Sequence, residues 1–207
     1  QSISAARLRK MTRIILASGS QIRRQIMTDA GLDFEVIVKP VDEAAIKQSM
    51  QAEESKPKDI ADALAEAKSR RVSQIEPGLV IGADQIMVMD GILFDKPKTM
   101  SEARERLLDM RGKTHFLVGA VVICENGTPV WRYGSKTKLT IRNFTEAFLD
   151  NYLEAEGNSI LKSVGAYRFE GRGSQLFSNV EGDFFSILGL SLLPVLDYLR
   201  ERGAILS

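Results

Sequence analysis

Residues 79–89 have the sequence LVIGADQIMVM, and this stretch decides the fold. It is apolar and rich in β-branched residues apart from Asp84 and Gln85, which is typical of a buried strand. The Asp-Gly pair at 90–91 follows at once and predicts a hairpin into a short strand over residues 92–94. A carboxylate inside such a strand is costly unless it is paired, metal-bound or neutralised. Asp84 is therefore a candidate functional residue, although a structural ion pair would also explain it. Gln85 is expected on the opposite side of the pleat.

The rest of the chain alternates between helix and strand patterns. Before the central stretch we predict a strand over 13–17, a helix between Ser20 and Gly31, a strand over 34–38, a polar irregular segment over 40–57 and a helix over 58–75. After it we predict a helix over 101–110, strands over 115–124 and 129–142 joined by an Asn-Gly turn, a helix over 145–154, a glycine-rich loop over 157–183 and a helix over 187–202. Two hairpins among alternating helices indicate an α/β fold with a mixed sheet flanked by helices.

Composition excludes several classes of function. Of 207 residues, 28 are Lys or Arg and 27 are Asp or Glu, and the net charge of +1 argues against a nucleic-acid partner. The single cysteine, Cys124, excludes an intrachain disulfide, and the single histidine, His115, excludes a His-rich zinc site. We interpret both as structural residues. No segment is long and apolar enough to predict a membrane span.

The first residues are predicted to lie outside the fold. They are basic but lack the apolar core of a secretory signal. We therefore interpret residues 1–12 as a leader or an expression remnant, with Met11 as the natural start.

A phosphate site is predicted where the first strand gives way to the first helix. The turn Ser18-Gly19-Ser20 offers hydroxyl and amide donors at a helix N-terminus, and Arg23 and Arg24 follow within one turn. An ordinary serine cap beside two solvated arginines explains the same pattern equally well. The signature of a P-loop does not occur.

Further charged residues are ambiguous when each is taken alone. Glu43, next to Asp42 in the polar segment, suits Mg²⁺ or Mn²⁺, although a solvated acidic loop is the more frequent outcome. Lys68 and Lys96 are placed to reach a phosphate, but each also has the pattern of a surface lysine. The glycine-rich stretch over 165–173 permits close backbone approach to a ligand, and its aromatic residues suit stacking on a base; a flexible surface loop is the alternative. The aromatic residues that follow it (Phe177, Phe184 and Phe185) are expected to be packed.

In this order the motifs resemble the Maf family of nucleoside triphosphate pyrophosphatases. The matching stretches are LASGS at 16–20 with Arg23, VDE at 41–43, ALA at 63–65 with Lys68, GAD at 82–84, KP at 96–97 with Glu102-Ala103, Gly112 with His115 and Gly119, Gly165 and Tyr167 with Gly171 and Gly173, and EGD at 181–183 with Gly189-Leu190. Each is weak alone, but the ordered set spans residues 13–203 and is specific.

The resemblance implies a fold and an activity. The fold is a mixed, curved sheet between helices, similar to that of inosine triphosphatases, with residues 13–207 forming one domain of two lobes around a cleft. The activity is metal-dependent hydrolysis of a nucleoside triphosphate between its α- and β-phosphates, with Mg²⁺ or Mn²⁺ as cofactor. A cytoplasmic homodimer that removes non-standard nucleotides is also implied.

The resemblance further assigns roles to residues. Asp84, Glu43, Lys68 and Lys96 are implied to be catalytic, and Glu43 and Asp84 to hold the metal ion. The implied substrate-binding residues are Ser18, Ser20, Arg23, Arg24, Gln85 and Glu170. Phosphoryl transfer needs mainly positioning and charge neutralisation, so no nucleophilic side chain is required.

Three departures from the commonest family pattern bear on the substrate. Gln21-Ile22 precede the arginine pair, Gln85 stands where threonine is frequent, and Glu170 stands where glutamine is frequent. All three resemble the branch that contains 7-methyl-GTP pyrophosphatases. The alternative function is a nucleotide-binding regulator of the cell-division inhibitor type, without turnover. Two carboxylates beside a triphosphate would add little affinity in a protein that only binds the nucleotide, so the presence of both Glu43 and Asp84 favours catalysis.

Overall fold

A computed structural model describes residues 12–207, so the predicted leader lies outside the described residues except for Thr12. Its strands form one seven-stranded sheet in the order β2-β1-β3-β5-β6-β7, with β4 also paired to β3. The strands are β1 Ile14–Leu16, β2 Glu35–Val36, β3 Leu79–Met89, β4 Ile92–Phe94, β5 Thr114–Glu125, β6 Thr128–Ile141 and β7 Phe177–Glu181. β1 runs parallel to β2 and β3, and the other pairs are antiparallel. The predicted mixed α/β architecture is confirmed.

Helices cover both faces of this sheet. They are α1 Gln21–Asp29, α2 Glu43–Ala52, α3 Pro57–Ser73, α4 Met100–Met110, α5 Glu146–Glu156, α6 Phe184–Leu188 and α7 Leu192–Glu201, with short 3₁₀ helices over Gly157–Lys162 and Arg172–Leu176. No helix within residues 12–207 combines the length and apolar character needed to cross a membrane.

Helix α2 corrects the prediction of an irregular segment over 40–57. Asp42 caps it, accepting a hydrogen bond from the Ala45 amide at 3.0 Å. Ile46 and Met50 pack against the apolar cluster beneath α3. The two residues stand four positions apart on one face of the helix, so both the cap and the apolar spacing are local signals that the prediction overlooked.

Two further differences lie near the C-terminus. The predicted helix over 187–202 is broken into α6 and α7, because Gly189 takes a left-handed conformation at φ +108°. The region over 157–183, predicted as a loop, contains β7, which pairs with β6 at the edge of the sheet. The first difference arises from a glycine inside the predicted helix, and the second from the pairing of β7 with β6.

Strand β3 has a gap along one of its edges. Leu79–Ile81 pair with β1 and Met87–Met89 pair with β4 on this edge, whereas β5 pairs along the other edge from Val80 to Val88. Among the described residues no strand pairs with residues 82–86 on the first edge. Asp84 and Gln85 therefore lie in an opening of the sheet at the carboxyl end of parallel strand β1, where α/β proteins commonly bind ligands.

The side chains of β3 belong to different cores on its two faces. Ile86 packs with α3 on one face. On the other face, Ala83 joins a cluster with α1 and α7, and Met87 joins a separate cluster with α4 and α5. The point at which these two clusters part coincides with the gap at Asp84 and Gln85.

Candidate functional site

Asp84 and Glu43 share one ammonium group at the gap. The Nζ atom of Lys68 donates a hydrogen bond to Asp84 Oδ1 at 2.7 Å and lies 3.1 Å from Glu43 Oε2. Asp84 is 8% exposed, whereas the Glu43 side chain is 47% exposed. Asp84 is thus ion-paired, as one interpretation of the sequence expects, but its ammonium partner is divided between two carboxylates.

Gly82 allows α3 to approach β3 closely enough for this contact. A Cβ atom at Gly82 would lie 2.2 Å from the Ala65 carbonyl oxygen and 2.9 Å from the Ser69 Cβ. Real Cβ atoms are not found so near to backbone, so only glycine fits. Lys68 stands on this part of α3, and Asp84 follows Gly82 by two residues on the same face of the strand.

Asp42 and Glu43 have separate roles. The Asp42 carboxylate is used as the N-cap of α2, and Glu43, the first residue of that helix, turns to Lys68. A cap residue and the residue after it face different directions, which separates the two roles.

Arg23 is held by three neighbours in the first loop and beyond. Its Nη1 donates to Ser18 Oγ at 3.2 Å and its Nε donates to the Gly189 carbonyl at 2.7 Å, while its own amide donates to Ser20 Oγ at 3.5 Å. Ser20 therefore acts as the helix cap, as one interpretation expects, and Ser18 is buried against the guanidinium.

Arg23 and Lys96 interact electrostatically with the charged residues at the gap. Burial lowers the pKa of Arg23, and the Asp84 and Glu43 carboxylates partly offset that decrease. The pKa of Lys96 lies below its ordinary value of 10.5 because the ammonium is desolvated and because Arg23 and Lys68 carry like charge. Glu43 and Asp84 act on Lys96 in the opposite direction. We call Arg23, Glu43, Lys68, Asp84 and Lys96 the gap cluster.

Three other predicted site residues make their contacts elsewhere. Arg24 is exposed on α1, and its side chain forms no hydrogen bond or ion pair within residues 12–207. Glu170 pairs with Arg168 in its own loop at 3.3 Å. Gln85 lies on the face of β3 opposite Asp84, as expected, and its Nε2 donates to the carbonyls of Ser186 and Ile187 in α6 at 2.8 and 3.3 Å.

Sequence reasoning missed the backbone groups of α6 and its end. The carbonyl of Gly189 orients Arg23, and the carbonyls of Ser186 and Ile187 hold Gln85. A carbonyl has no residue-type signature. The only available signal was the glycine itself, which commonly ends helices.

The donor set at the gap fits a hard divalent cation only in part. Within residues 12–207 no cluster of three or more His, Cys, Asp or Glu side chains forms a complete metal site. Glu43 and Asp84 supply two carboxylates. Mg²⁺ typically binds one or two carboxylates together with substrate phosphates and water, so these residues fit an ion whose coordination is completed by a phosphate ligand.

His115 and Cys124 have the structural roles expected of them. His115 is fully buried, and its Nε2 lies 2.8 Å from the Tyr167 hydroxyl. Desolvation lowers the pKa of His115 to about 4, so the ring is neutral at physiological pH. Cys124 is buried and its Sγ contacts Ser69 Oγ at 3.2 Å.

Known proteins are similar to this chain over most of its length. The family described as Maf-like protein matches residues 13–202. The nucleoside triphosphate pyrophosphatase of Caulobacter vibrioides is 49% identical over 195 residues, which cover 94% of this chain and 98% of that protein. The protein of the same name from Paramagnetospirillum magneticum is 53% identical over 190 residues, covering 91% and 98%. That from Maricaulis maris is 50% identical over 196 residues, covering 94% and 99%.

Proposed function

The chain belongs to the Maf family, and we propose that it is a metal-dependent nucleoside triphosphate pyrophosphatase acting between the α- and β-phosphates. Relatives with this enzyme name cover nearly its whole length. The observation that carries the proposal is the buried Asp84 carboxylate in the gap of the sheet. It shares the Lys68 ammonium with Glu43 instead of forming a closed pair.

The three cations of the gap cluster bind the triphosphate in this proposal. Arg23 is oriented by Gly189 and Ser18, and its planar fork suits bidentate contact with phosphate oxygens. Lys68 and Lys96 add two ammonium groups as point charges. Phosphoryl transfer depends mainly on positioning and on neutralising charge, which fixed cations in a partly buried site supply.

Glu43 and Asp84 would hold the divalent cation against the phosphates. When bound, the ion supplies charge neutralisation at the phosphate oxygens. Lys68 contacts the same two carboxylates, and we infer that the substrate draws its ammonium toward the phosphates.

Asp84 is the general base of the proposed reaction. The carboxylate accepts a proton from water as the water oxygen bonds to the α-phosphorus. The bond from that phosphorus to the oxygen bridging toward the β-phosphate breaks, and the products are a nucleoside monophosphate and pyrophosphate. General base catalysis of this kind contributes about 10²- to 10⁴-fold in rate.

A modified purine nucleotide such as 7-methyl-GTP is the proposed substrate. The supporting residues are Gln85 and Glu170, which resemble the corresponding branch of the family. Glu170 is exposed and its carboxylate pairs only with Arg168 among the described residues. A carboxylate in this position suits a base with a donor-rich or cationic edge.

Further expectations rest on the family resemblance alone. They are one domain of two lobes, a homodimer and a cytoplasmic setting. Light scattering coupled to size-exclusion chromatography tests the dimer, and a mass equal to one chain would contradict it.

Product analysis tests the proposed function. The wild-type chain is incubated with 7-methyl-GTP, GTP, UTP, CTP and dTTP, with Mg²⁺, Mn²⁺ or EDTA. We expect equimolar monophosphate and pyrophosphate only with a metal ion, and the highest kcat/KM for 7-methyl-GTP. In ¹⁸O-water the label should enter the monophosphate, because attack occurs at the α-phosphorus. Label in pyrophosphate would refute the assigned bond, and tight binding without release would favour the regulatory alternative.

A further inference from the structure

Phe184, the first residue of α6, has an exposed aromatic ring. It is 48% exposed, and its ring centroid lies 6.1 Å from that of Phe169 and 5.6 Å from that of Phe185. The sequence predicts a packed residue here, so the exposure is a finding of the structure. A single exposed phenylalanine is common on protein surfaces and does not by itself indicate a binding site. The position of Phe184 relative to the gap cluster does.

Helix α6 connects Phe184 to the gap cluster. Gln85, the neighbour of Asp84 on β3, donates to the carbonyls of Ser186 and Ile187 in α6, and the carbonyl of Gly189 at the end of the helix accepts a hydrogen bond from Arg23. At a rise of about 1.5 Å per residue, the helix places Phe184 roughly 6 Å along its axis from its last residue, Leu188. In a nucleotide, the ribose that links the phosphates to the base spans a distance of this order, so phosphates bound at the gap cluster would leave the base near Phe184.

A series of packed aromatic rings supports Phe169 from the core. Tyr167 meets Phe177 edge to face at 4.8 Å, and Phe177 meets Phe169 at 5.3 Å. Tyr167 is fixed in turn by its hydroxyl contact with His115. Phe169 is therefore held from behind, and Phe184 stands at the exposed end of the series.

Glu170 follows Phe169 directly in the chain, and its carboxylate pairs with Arg168 in the same loop at 3.3 Å. We propose that Phe184 and Phe169 form the stacking surface for the nucleobase, with Glu170 at the edge of the base and α6 fixing the distance to Arg23. The inference rests on the proposed function and names its base subsite. The ligand class is a purine with a cationic or donor-rich edge, because such a base gains from both the ring faces and the carboxylate.

Substitution of Phe184 tests the proposal against a ligand without a base. For Phe184→Leu we expect kcat/KM for 7-methyl-GTP to fall about tenfold to a hundredfold, mainly through KM, since stacking on one ring contributes that much. Inhibition by inorganic tripolyphosphate should stay within twofold, because it uses only the gap cluster. Phe184→Tyr should restore most of the loss. Leu193→Ala, at another exposed apolar residue, is the matched control and should change nothing.

Two outcomes would overturn the base subsite. In one, Phe184→Leu leaves kcat/KM for every nucleotide unchanged. In the other, it weakens tripolyphosphate and nucleotides equally, which would mean that the ring only supports α6. A wild-type chain without turnover would refute the proposed function instead. Calorimetric binding of 7-methyl-GTP to the wild-type and Phe184→Leu proteins would still decide whether the ring stacks on the base.

Discussion

Helix α3 carries charged clusters on two of its faces, and they differ in what surrounds them. On one face Lys68 lies between Asp84 and Glu43, at a gap in the sheet. On the other, Arg132 of β6 pairs with Asp62 and Glu66. Both join a cation to two carboxylates, so the types of residue alone do not separate them.

Burial and surroundings separate them. The side chains of Arg132 and Asp62 are 42% and 35% exposed, whereas that of Glu66 is 19% exposed. A second cation, Arg70, also pairs with Glu66, so the two acids of this cluster face two cations. Lys68 and Asp84 are mostly buried, and Arg23 and Lys96 add further positive charge around them. An exposed network of this kind contributes little to stability. A partly desolvated cluster in which cations outnumber carboxylates attracts an anion. The comparison shows why a functional site is argued from burial and excess charge.

Asp84→Asn should have the largest effect on activity. The amide keeps the size of the side chain but cannot accept a proton from water, so kcat should fall about a thousandfold. Pyrophosphate release at saturating nucleotide measures it. Far-ultraviolet circular dichroism serves as the control for folding. Calorimetric binding of nucleotide in EDTA, which does not involve the metal ligands, should change little. A kcat within tenfold of wild type would mean that Asp84 is not the base.

Lys68→Gln should lower kcat/KM by about 10²-fold, since it removes a cation that stabilises charge developing on the phosphates. It also leaves Asp84 and Glu43 without their shared ammonium, so divalent cations should take its place. We therefore expect Mg²⁺ alone to raise the unfolding midpoint more in Lys68→Gln than in wild type. Differential scanning fluorimetry without nucleotide measures this.

Lys68→Arg is the matched control, because it keeps the charge. Its response to Mg²⁺ should remain close to that of wild type. An equal Mg²⁺ response in all three proteins would argue against a metal site at Glu43 and Asp84.

Lys96 should set the alkaline limit of activity. Because the pKa of Lys96 is lowered, its charge is lost at a lower pH than that of an ordinary lysine. As the pH rises, kcat/KM should therefore decrease with a midpoint lower than pH 10.5. A bound triphosphate stabilises the ammonium and raises that pKa again, so the alkaline fall of kcat should come at higher pH than that of kcat/KM. Lys96→Arg should move the fall in kcat/KM upward, and an unchanged profile would assign it to another group.

Local signals account for the parts of the fold that the sequence predicts well. Strand β3 is apolar throughout apart from Asp84 and Gln85, and its bounds agree with the prediction. The turn between β5 and β6 has Asn126 at φ +51° and Gly127 at φ +76°, which is what an Asn-Gly hairpin requires. Strand β7 escapes prediction because it is stabilised by pairing with β6. Helix α2 has local signals, the Asp42 cap and the apolar pair Ile46 and Met50, which the sequence prediction overlooked.

The site shows the same division. Asp84 stands out as a carboxylate in an apolar strand, and the order of motifs adds Glu43 and Lys68, which the structure brings together. That the Gly189 carbonyl orients Arg23 depends on how α6 meets α1, which no local pattern encodes. The exposure of Phe184 is likewise set by tertiary packing, so an apolar residue was wrongly expected to be covered.

Arg132→Met should have the smallest effect and test whether the two faces of α3 are independent. Removing an exposed pair costs up to about 1 kcal/mol, so the free energy of unfolding in urea should change by no more than that. The loss should shrink in high salt because exposed charges are screened. kcat/KM should stay within twofold, since Lys68 is held by Asp84 on the opposite side of the helix. A tenfold loss of activity would mean that Arg132 fixes the rotation of α3 and thereby the position of Lys68, and the surface cluster would then belong to the positioning of the site.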